Sequence, residues 1–521
     1  MTRAVQGRPG HRIALVLALV AGVLALAGAW SLSTPVGSGP DEPAHIQYAY
    51  GVATGQTVRG QERLWQDSRG AWLTDVEVPA ALFDFVEPGC YAFDTTKLPA
   101  CGVQEQAGQP GTYTASTYMS RYPPPYYLLT GSVMRAALAA GLPGEATLLL
   151  ARFASGVLAL GLVVAGAAVL RRRFPGTAAA LAVLAVVTPA TGPLFGIVNP
   201  NGTELGAAVL AAAAVAVFRD DVRRVGRVGA GTWTALVVGL LVLAWSRPLS
   251  LAWVGVLLLV AFLPLRRTWE ALRGRRSTLV GGGLLVLGLA ACAAWLLYAS
   301  RLRGAEEQDP TQDWSEVTPG YRVLLVLLHF GALVQQAVTQ FGWDVTLPTV
   351  VLVVWLLAVA VAGTALALGG RGASTTLRVA GGALGGSALV VAVYSLLTGF
   401  GWQGRYWLPA VAAAVVLAVP ALDGALLPDV GRRRLTRWAA GTFLALGAFT
   451  FLWSMSRYVH GIRPLFNRFD AVPVLEVDAV WWPPGGQLPT VALYVAGTAV
   501  LATLLLRGTS RPPAPAAGPL S

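Results

Sequence analysis

Five short segments bring together residue types that could do chemistry. Pro40-Asp41-Glu42-Pro43-Ala44-His45 sets two adjacent carboxylates and an imidazole within six residues. A carboxylate there could accept the proton of an acceptor hydroxyl or help hold a divalent cation. Its structural alternative is a Pro-bounded turn in which Asp41 caps a helix starting near Pro43. Arg121-Tyr122-Pro123-Pro124-Pro125-Tyr126-Tyr127 could offer Tyr122 and Tyr126 as a platform for a sugar ring or lipid headgroup, with Arg121 beside them. The same tyrosines equally suit an aromatic belt at a membrane surface. Asn199-Pro200-Asn201-Gly202-Thr203-Glu204 puts Glu204 at the edge of an apolar run, where an ionisable group is costly and marks a functional candidate. The alternative is capping of the next helix by Asn201 or Thr203. Trp245-Ser246-Arg247-Pro248 is a corner too tight for a soluble loop, so Arg247 lies at the interface and could bind a phosphate bidentately or snorkel to lipid. Gly401-Trp402-Gln403-Gly404-Arg405-Tyr406-Trp407-Leu408-Pro409 repeats the theme, with Arg405 and Tyr406 following a glycine that permits close backbone approach.

The elements that must position these residues follow from composition. The 521-residue chain is 55% hydrophobic and 12% charged, with a mean hydropathy of +0.60. A soluble domain carries about a quarter charged residues, so a water-soluble enzyme is excluded. Apolar runs of bilayer-crossing length recur throughout, which predicts an all-α polytopic membrane protein and excludes a β-barrel. Candidate spans are 12–32, 146–170, 177–198, 204–218, 230–246, 248–265, 278–299, 346–368, 379–398, 406–422, 438–454 and 490–507. The segments 124–141 and 321–340 are shorter or more polar. If neither crosses, 23 arginines against five acids fall on the cytoplasmic side, as the positive-inside rule requires. The expected architecture is therefore about 12 transmembrane helices plus two outward re-entrant or membrane-parallel helices.

In this topology residues 1–32 are a cytoplasmic tail and a retained signal-anchor helix. Residues 33–123 form one large extracytoplasmic loop with ten acids and five basic residues. Residues 124–454 form the bundle, 455–489 an outer loop, and 490–521 a last helix with a disordered Pro/Ala-rich cytoplasmic tail. The net charge of +12 then belongs to cytoplasmic arginines that orient the chain and meet anionic membrane lipids; it is no nucleic-acid footprint. Cys90 and Cys101, with ten residues between them in the outer loop, are a disulfide candidate or two free thiols; Cys292 lies in an apolar run. All five segments share the outer face, where two carboxylates, a histidine, tyrosines and two arginines would suit an anionic amphiphile.

The combination PDEPAH, RYPPPYY, NPNGTE, WSRP and QGRYWLP, from Pro40 to Pro409, resembles a bacterial polytopic membrane family, domain-of-unknown-function family 2142. That family in turn resembles the GT-C glycosyltransferases. The resemblance implies a GT-C-like bundle, short membrane-parallel helices after the first outer loop, and a polyprenyl-phosphate sugar donor used on the outer face of the cytoplasmic membrane. It also implies an acidic catalytic residue just after the first span, a role that falls on Asp41 with Glu42 as its neighbour. Many GT-C enzymes carry a second acidic motif in a later outer loop; here Glu204 is the one candidate, and a divalent cation stays open as cofactor.

The location argues independently for a lipid-linked donor, because nucleotide sugars are cytoplasmic. The expected reaction is inverting transfer to an envelope glycan or lipid acceptor. Asp41 would act as base, Arg405 and Arg247 would stabilise the phosphate leaving group, His45 would orient Asp41 or bind phosphate, and Tyr122 and Tyr126 would stack on sugar. Two rivals remain: a transporter or flippase of a lipid-linked glycan, and a non-catalytic envelope assembly protein. The chain has no internal repeat of the kind many transporters show.

Overall fold

The computed structural model describes residues 9–507 apart from 57–64, 67–71, 84, 86–90, 92–93, 95, 100–110, 175, 188, 274–275, 302–316, 342–344, 369–372, 399–402, 423–426, 465–470 and 474–480. Cys90 and Cys101 lie outside the described residues.

The apolar runs fold as helices because a bilayer offers backbone amides no other partner. The first is α1 (Pro9–Leu32). After a turn the outer segment opens with α2 (Glu42–Thr54) and continues through strands β1 (Trp65–Gln66) and β2 (Trp72–Pro79), the short α3 (Ala80–Phe83) and β3 (Thr112–Thr117). The bundle follows with α4 (Pro124–Ala139), α5 (Gly144–Arg173), α6 (Thr177–Val186), α7 (Pro200–Arg224), α8 (Ala230–Ala244), α9 (Ser250–Phe262) and α10 (Leu265–Leu272). It is completed by α11 (Arg276–Arg301), α12 (Pro319–Thr339), α13 (Thr349–Leu368), α14 (Ala373–Thr398), α15 (Gly404–Ala418) and α16 (Asp429–Val459). The strands β4 (Ile462–Pro464) and β5 (Ala471–Pro473) pair antiparallel before α17 (Gln487–Leu506).

Among the described residues nine helices are long and apolar enough to cross a membrane, or ten if α9 and α10, bent by 82°, count as one broken span. Several expected boundaries change. The run 177–198 is no continuous span: α6 has ten residues, and a 3₁₀ turn at Pro193–Phe195 follows in irregular chain that is buried from Pro189 to Val198. Of the two polar segments, α4 has 16 residues, short of the roughly 20 a span needs. In contrast α12 has 21 residues and passes the length and hydropathy criteria for crossing. Its polarity in sequence comes from Gln335, Gln336 and His329, few enough for an apolar helix to carry. The outer loop expected at 455 begins later, since α16 runs to Val459.

At the centre of the bundle, α7 is buried at every position from Pro200 to Phe218. Its run of alanines and glycines lets α5, α8 and α15 approach closely, as small residues do in membrane helix interfaces. Helix α5 gives the bundle its two ends. Near its start Arg152 bonds to the 31–42 segment. About 28 Å further on, at 1.5 Å per residue, Arg171 donates to the carbonyl of Leu504 and Arg173 pairs with Asp220. Helix α16 runs the opposite way, from Arg432 near its first turn to Arg457 near its last. The polar segments thus gather at one end and the basic clusters at the other.

Over the polar end lies a small cap. Val76 and Val78 of β2 and Ala115 of β3 face inward with Leu82, while Asp75 and Glu77 face outward, the period of two that a strand imposes. The buried residues pack on Ile46, Tyr48 and Ala49 of α2 in a core separate from that of the bundle. Helix α4 crosses α2 so closely that a Cβ at Gly131 would stand 2.0 Å from the Ala49 carbonyl oxygen.

Candidate functional site

The adjacent carboxylates of the Asp41-Glu42 pair are turned to opposite duties. Glu42 is fully buried and forms a bidentate pair with Arg152, Nε to Oε1 at 2.7 Å and Nη2 to Oε2 at 2.5 Å. Its oxygens also accept from the backbone N–H groups of Gly37, Gly39 and Val198. Arg152 spends its remaining donors on the carbonyls of Ser31, Thr34 and Pro35. This buried knot ties the chain leaving α1 to α5 and to the start of α7. With five donors already on its oxygens, Glu42 has no site left for a substrate proton, which corrects its pairing with Asp41 as a catalytic candidate; its work is to hold the turn.

That turn presents Asp41 in a left-handed conformation, φ 59° and ψ 10°, the one non-glycine residue with positive φ among those described. Such backbone strain persists where its surroundings over-determine it, often at functional sites. The side chain makes no cap hydrogen bond to α2, so the capping alternative fails for the carboxylate. Instead Oδ2 lies 2.5 Å from Arg405 Nη2, and Oδ1 accepts from the Tyr118 hydroxyl at 2.9 Å. Tyr118 is delivered by β3, whose last residue, Thr117, donates to the Ala44 carbonyl. Burial and the neighbouring Asp41 charge push the Tyr118 phenol up, so it stays a donor. The Asp41 side chain remains 22% exposed, the more accessible of the two carboxylates.

Beneath Asp41 sits an aromatic floor. His45 Nδ1 is 2.8 Å from the Tyr127 hydroxyl, and its ring stacks on Tyr127 and meets Tyr122 edge-on. Burial pushes His45 down to about 3, against the opposing pull of Asp41, so it is neutral at physiological pH. Tyr126 is buried, bonds Ser155 and packs edge-to-face on Tyr127. It belongs to the cap core and has no face to offer a sugar, which corrects its expected role. Tyr122 is partly exposed, and its backbone carbonyl accepts from the Tyr48 hydroxyl. Arg121 is half-buried in the turn before α4.

The second half of the site comes from three distant elements. Arg247, at the α8–α9 corner, is 5% exposed and pairs with Glu204 of α7 at 3.4 Å. Glu204 also accepts from Ser250 at 2.7 Å. Arg247 further donates to the Tyr122 hydroxyl and lies 4.3 Å over the Tyr406 ring, with Arg405 5.3 Å from the same ring. Two guanidiniums therefore flank one tyrosine. The buried Nε–H of each has no hydrogen-bond partner among the described residues. Asn201 is buried near the start of α7, but the cap there is Asn199, whose side chain accepts from Asn201 N and donates to the Pro40 carbonyl.

Three partners were missed in the sequence: Arg152, Tyr118 and Ser250. Arg152 carried a signal, an arginine inside an apolar helix; the other two carried none. Among the described residues no three His, Cys, Asp or Glu side chains converge.

Comparison with known proteins adds the following. The family described as "Predicted membrane protein (DUF2142)" matches residues 24–414. A search of curated proteins returns no match. Among solved structures, the crystal structure of ArnT from Cupriavidus metallidurans bound to undecaprenyl phosphate is similar at a TM-score of 0.42 and 15% identity. That alignment covers 96% of this chain and 77% of the other. A likeness that slight carries no argument about the chemistry of the site.

Proposed function

This chain belongs to the DUF2142 family of predicted membrane proteins, and we propose that within it the site transfers a sugar from a polyprenyl-phosphate donor to an envelope glycan or lipid acceptor. The observation that carries the reading is the pairing of a strained, partly accessible Asp41 with Arg405, which shares the Tyr406 ring with the buried Arg247. A carboxylate beside two guanidiniums suits a reaction that removes a proton on one side and releases an anion on the other. Arg405 stands in the first turn of α15, so the helix N-terminus adds its own amides and partial positive charge for a phosphate.

In this reading the lipid phosphate enters between Arg247 and Arg405 and draws Arg405 from Asp41. The freed carboxylate accepts the proton of an acceptor hydroxyl. The hydroxyl oxygen attacks the anomeric carbon, and the bond from that carbon to the phosphate oxygen breaks with its electron pair leaving on the polyprenyl phosphate. The configuration inverts. Arg247 and Arg405 neutralise the charge that grows on the leaving group, a contribution whose removal at other sites costs about 10²–10³ in rate. Neutral His45 supports the floor and donates or accepts one hydrogen bond with Tyr127. No step runs through a metal ion. The gathering of the polar segments at one end of the bundle favours chemistry on one face over alternating access, and the basic clusters at the other end favour an extracytoplasmic site.

Mass spectrometry of lipid extract and envelope glycan from a deletion strain tests the reading. Loss of one glycan component with accumulation of a polyprenyl-phosphate sugar is expected. An unchanged glycan and lipid profile contradicts it.

A further inference from the structure

Beside Arg405 lies a cavity of about 190 Å³ that the roles above leave unused. It is lined by Gln336 and Gln340 of the α12 end, Gln403 and Gly404 at the start of α15, Arg405, and an apolar wall that includes Phe341. Three carboxamides line this void, in contrast to a larger cavity elsewhere in the bundle whose walls are apolar. A carboxamide carries both donors and an acceptor, the kinds of group that match vicinal hydroxyls. Their arrangement is built. Gln336 Oε1 accepts from Gly404 N at 2.8 Å, which leaves its NH₂ as the donating end. A Cβ on Gly404 would stand 2.3 Å from Ala337 N, so this glycine lets the start of α15 close against α12. Gln340 is held by a backbone bridge to Thr346. At roughly 30 Å³ per water the void has room for about six, comparable to a single sugar ring.

We infer that this cavity is the subsite for the sugar of the donor, with the three glutamines binding ring hydroxyls and Arg405 binding the phosphate at its mouth. The inference rests on the lipid-phosphate reading of the site. In that arrangement the anomeric carbon lies at Arg405, beside the Asp41 carboxylate 2.5 Å from that guanidinium. Phe341 supplies the apolar surface against which a ring face packs.

The test uses the full chain in lipid nanodiscs. The probes are decaprenyl phosphate alone and decaprenyl phosphate bearing one β-linked glucose, mannose or arabinofuranose. Wild type is expected to bind the bare phosphate, and at least one glycosylated probe tenfold or more tighter. The double variant Gln340→Leu/Gln403→Leu should lose that preference, about tenfold for each hydrogen bond removed, while its affinity for bare phosphate stays unchanged and so vouches for its fold. A double variant that keeps the preference overturns the subsite, as does one that loses bare phosphate equally, or a wild type that binds no glycosylated probe better than bare phosphate. A wild type that binds neither kind of probe overturns the lipid-phosphate reading itself.

Discussion

Asp41 and Glu42 show how neighbours in sequence part in function. The Glu42–Arg152 pair is fully buried, and breaking such a pair leaves an uncompensated charge at a cost of about 3–5 kcal/mol. Glu42→Gln and Arg152→Ala should therefore lower the thermal stability of the detergent-purified chain sharply and reduce its yield. Asp41→Asn should leave the melting temperature nearly unchanged, because that side chain is partly solvated. Equal melting losses for Asp41→Asn and Glu42→Gln would contradict the division of labour. His45 gives a pH prediction. Its folded value, about 3, lies below the ordinary 6.5. Between those values the unfolded chain binds a proton that the folded chain refuses. Stability is thus whole above pH 6.5 and falls as pH drops toward 3, by about 1.4 kcal/mol per unit. Melting curves from pH 7 to 4.5 should show this slope for wild type and a shallower one for His45→Gln; identical slopes would refute it. The segments that hold Asp41, His45, Glu204, Arg247 and Arg405 could be picked out in sequence because charge is rare in apolar chain. Their pairings could not. Arg152 lies 110 residues from Glu42, and Arg405 lies 364 residues from Asp41. Tyr126 was misjudged because a tyrosine in the first turn of a helix looks alike in sequence whether its ring faces out or in.

Elements succeed or fail here by length and by small residues. Hydropathy alone found the long helices, since twenty apolar residues have few alternatives in a bilayer. It read 177–198 as one span because buried irregular chain is as apolar as a helix when protein surrounds it on every side. The cap strands were illegible: β2 and β3 are separated by 32 residues, far more than a hairpin turn, and they pack over α2. The junction of α12 and α15 is the element contact on which the site most depends. Gly404→Ala would drive a methyl into the α12 backbone and displace Arg405 from Asp41. Affinity of the nanodisc-embedded chain for decaprenyl phosphate should fall by about tenfold or more with the helical content retained. An unchanged affinity would show that this contact does not set the arginine.

At the scale of the molecule, the polar end, the cap and the basic end form one arrangement. Arg457, at the last turn of α16, donates to the carbonyls of Tyr91, Asp94 and Lys97 and so ties the outer segment to the bundle. The cap thereby sits over Asp41 with Tyr118 in place. Arg247, from the α8–α9 corner, and Arg405, from the start of α15, meet at the Tyr406 ring, so the proposed anion site needs the assembled fold. Replacing either by alanine should reduce transfer by about 10²–10³, measured as the rate at which the glycan reappears after induced expression; a rate within twofold of wild type for both would remove them from the site. The central claim is that Asp41 is the base of a glycosyl transfer. Its most direct test is the envelope glycan of a deletion strain complemented with wild type or with Asp41→Asn at equal membrane abundance, quantified by mass spectrometry. The account predicts restoration by wild type and a loss of about two to four orders of magnitude in rate for the variant, which leaves the glycan essentially absent. Full restoration by Asp41→Asn would contradict it and move the protein toward transport or assembly.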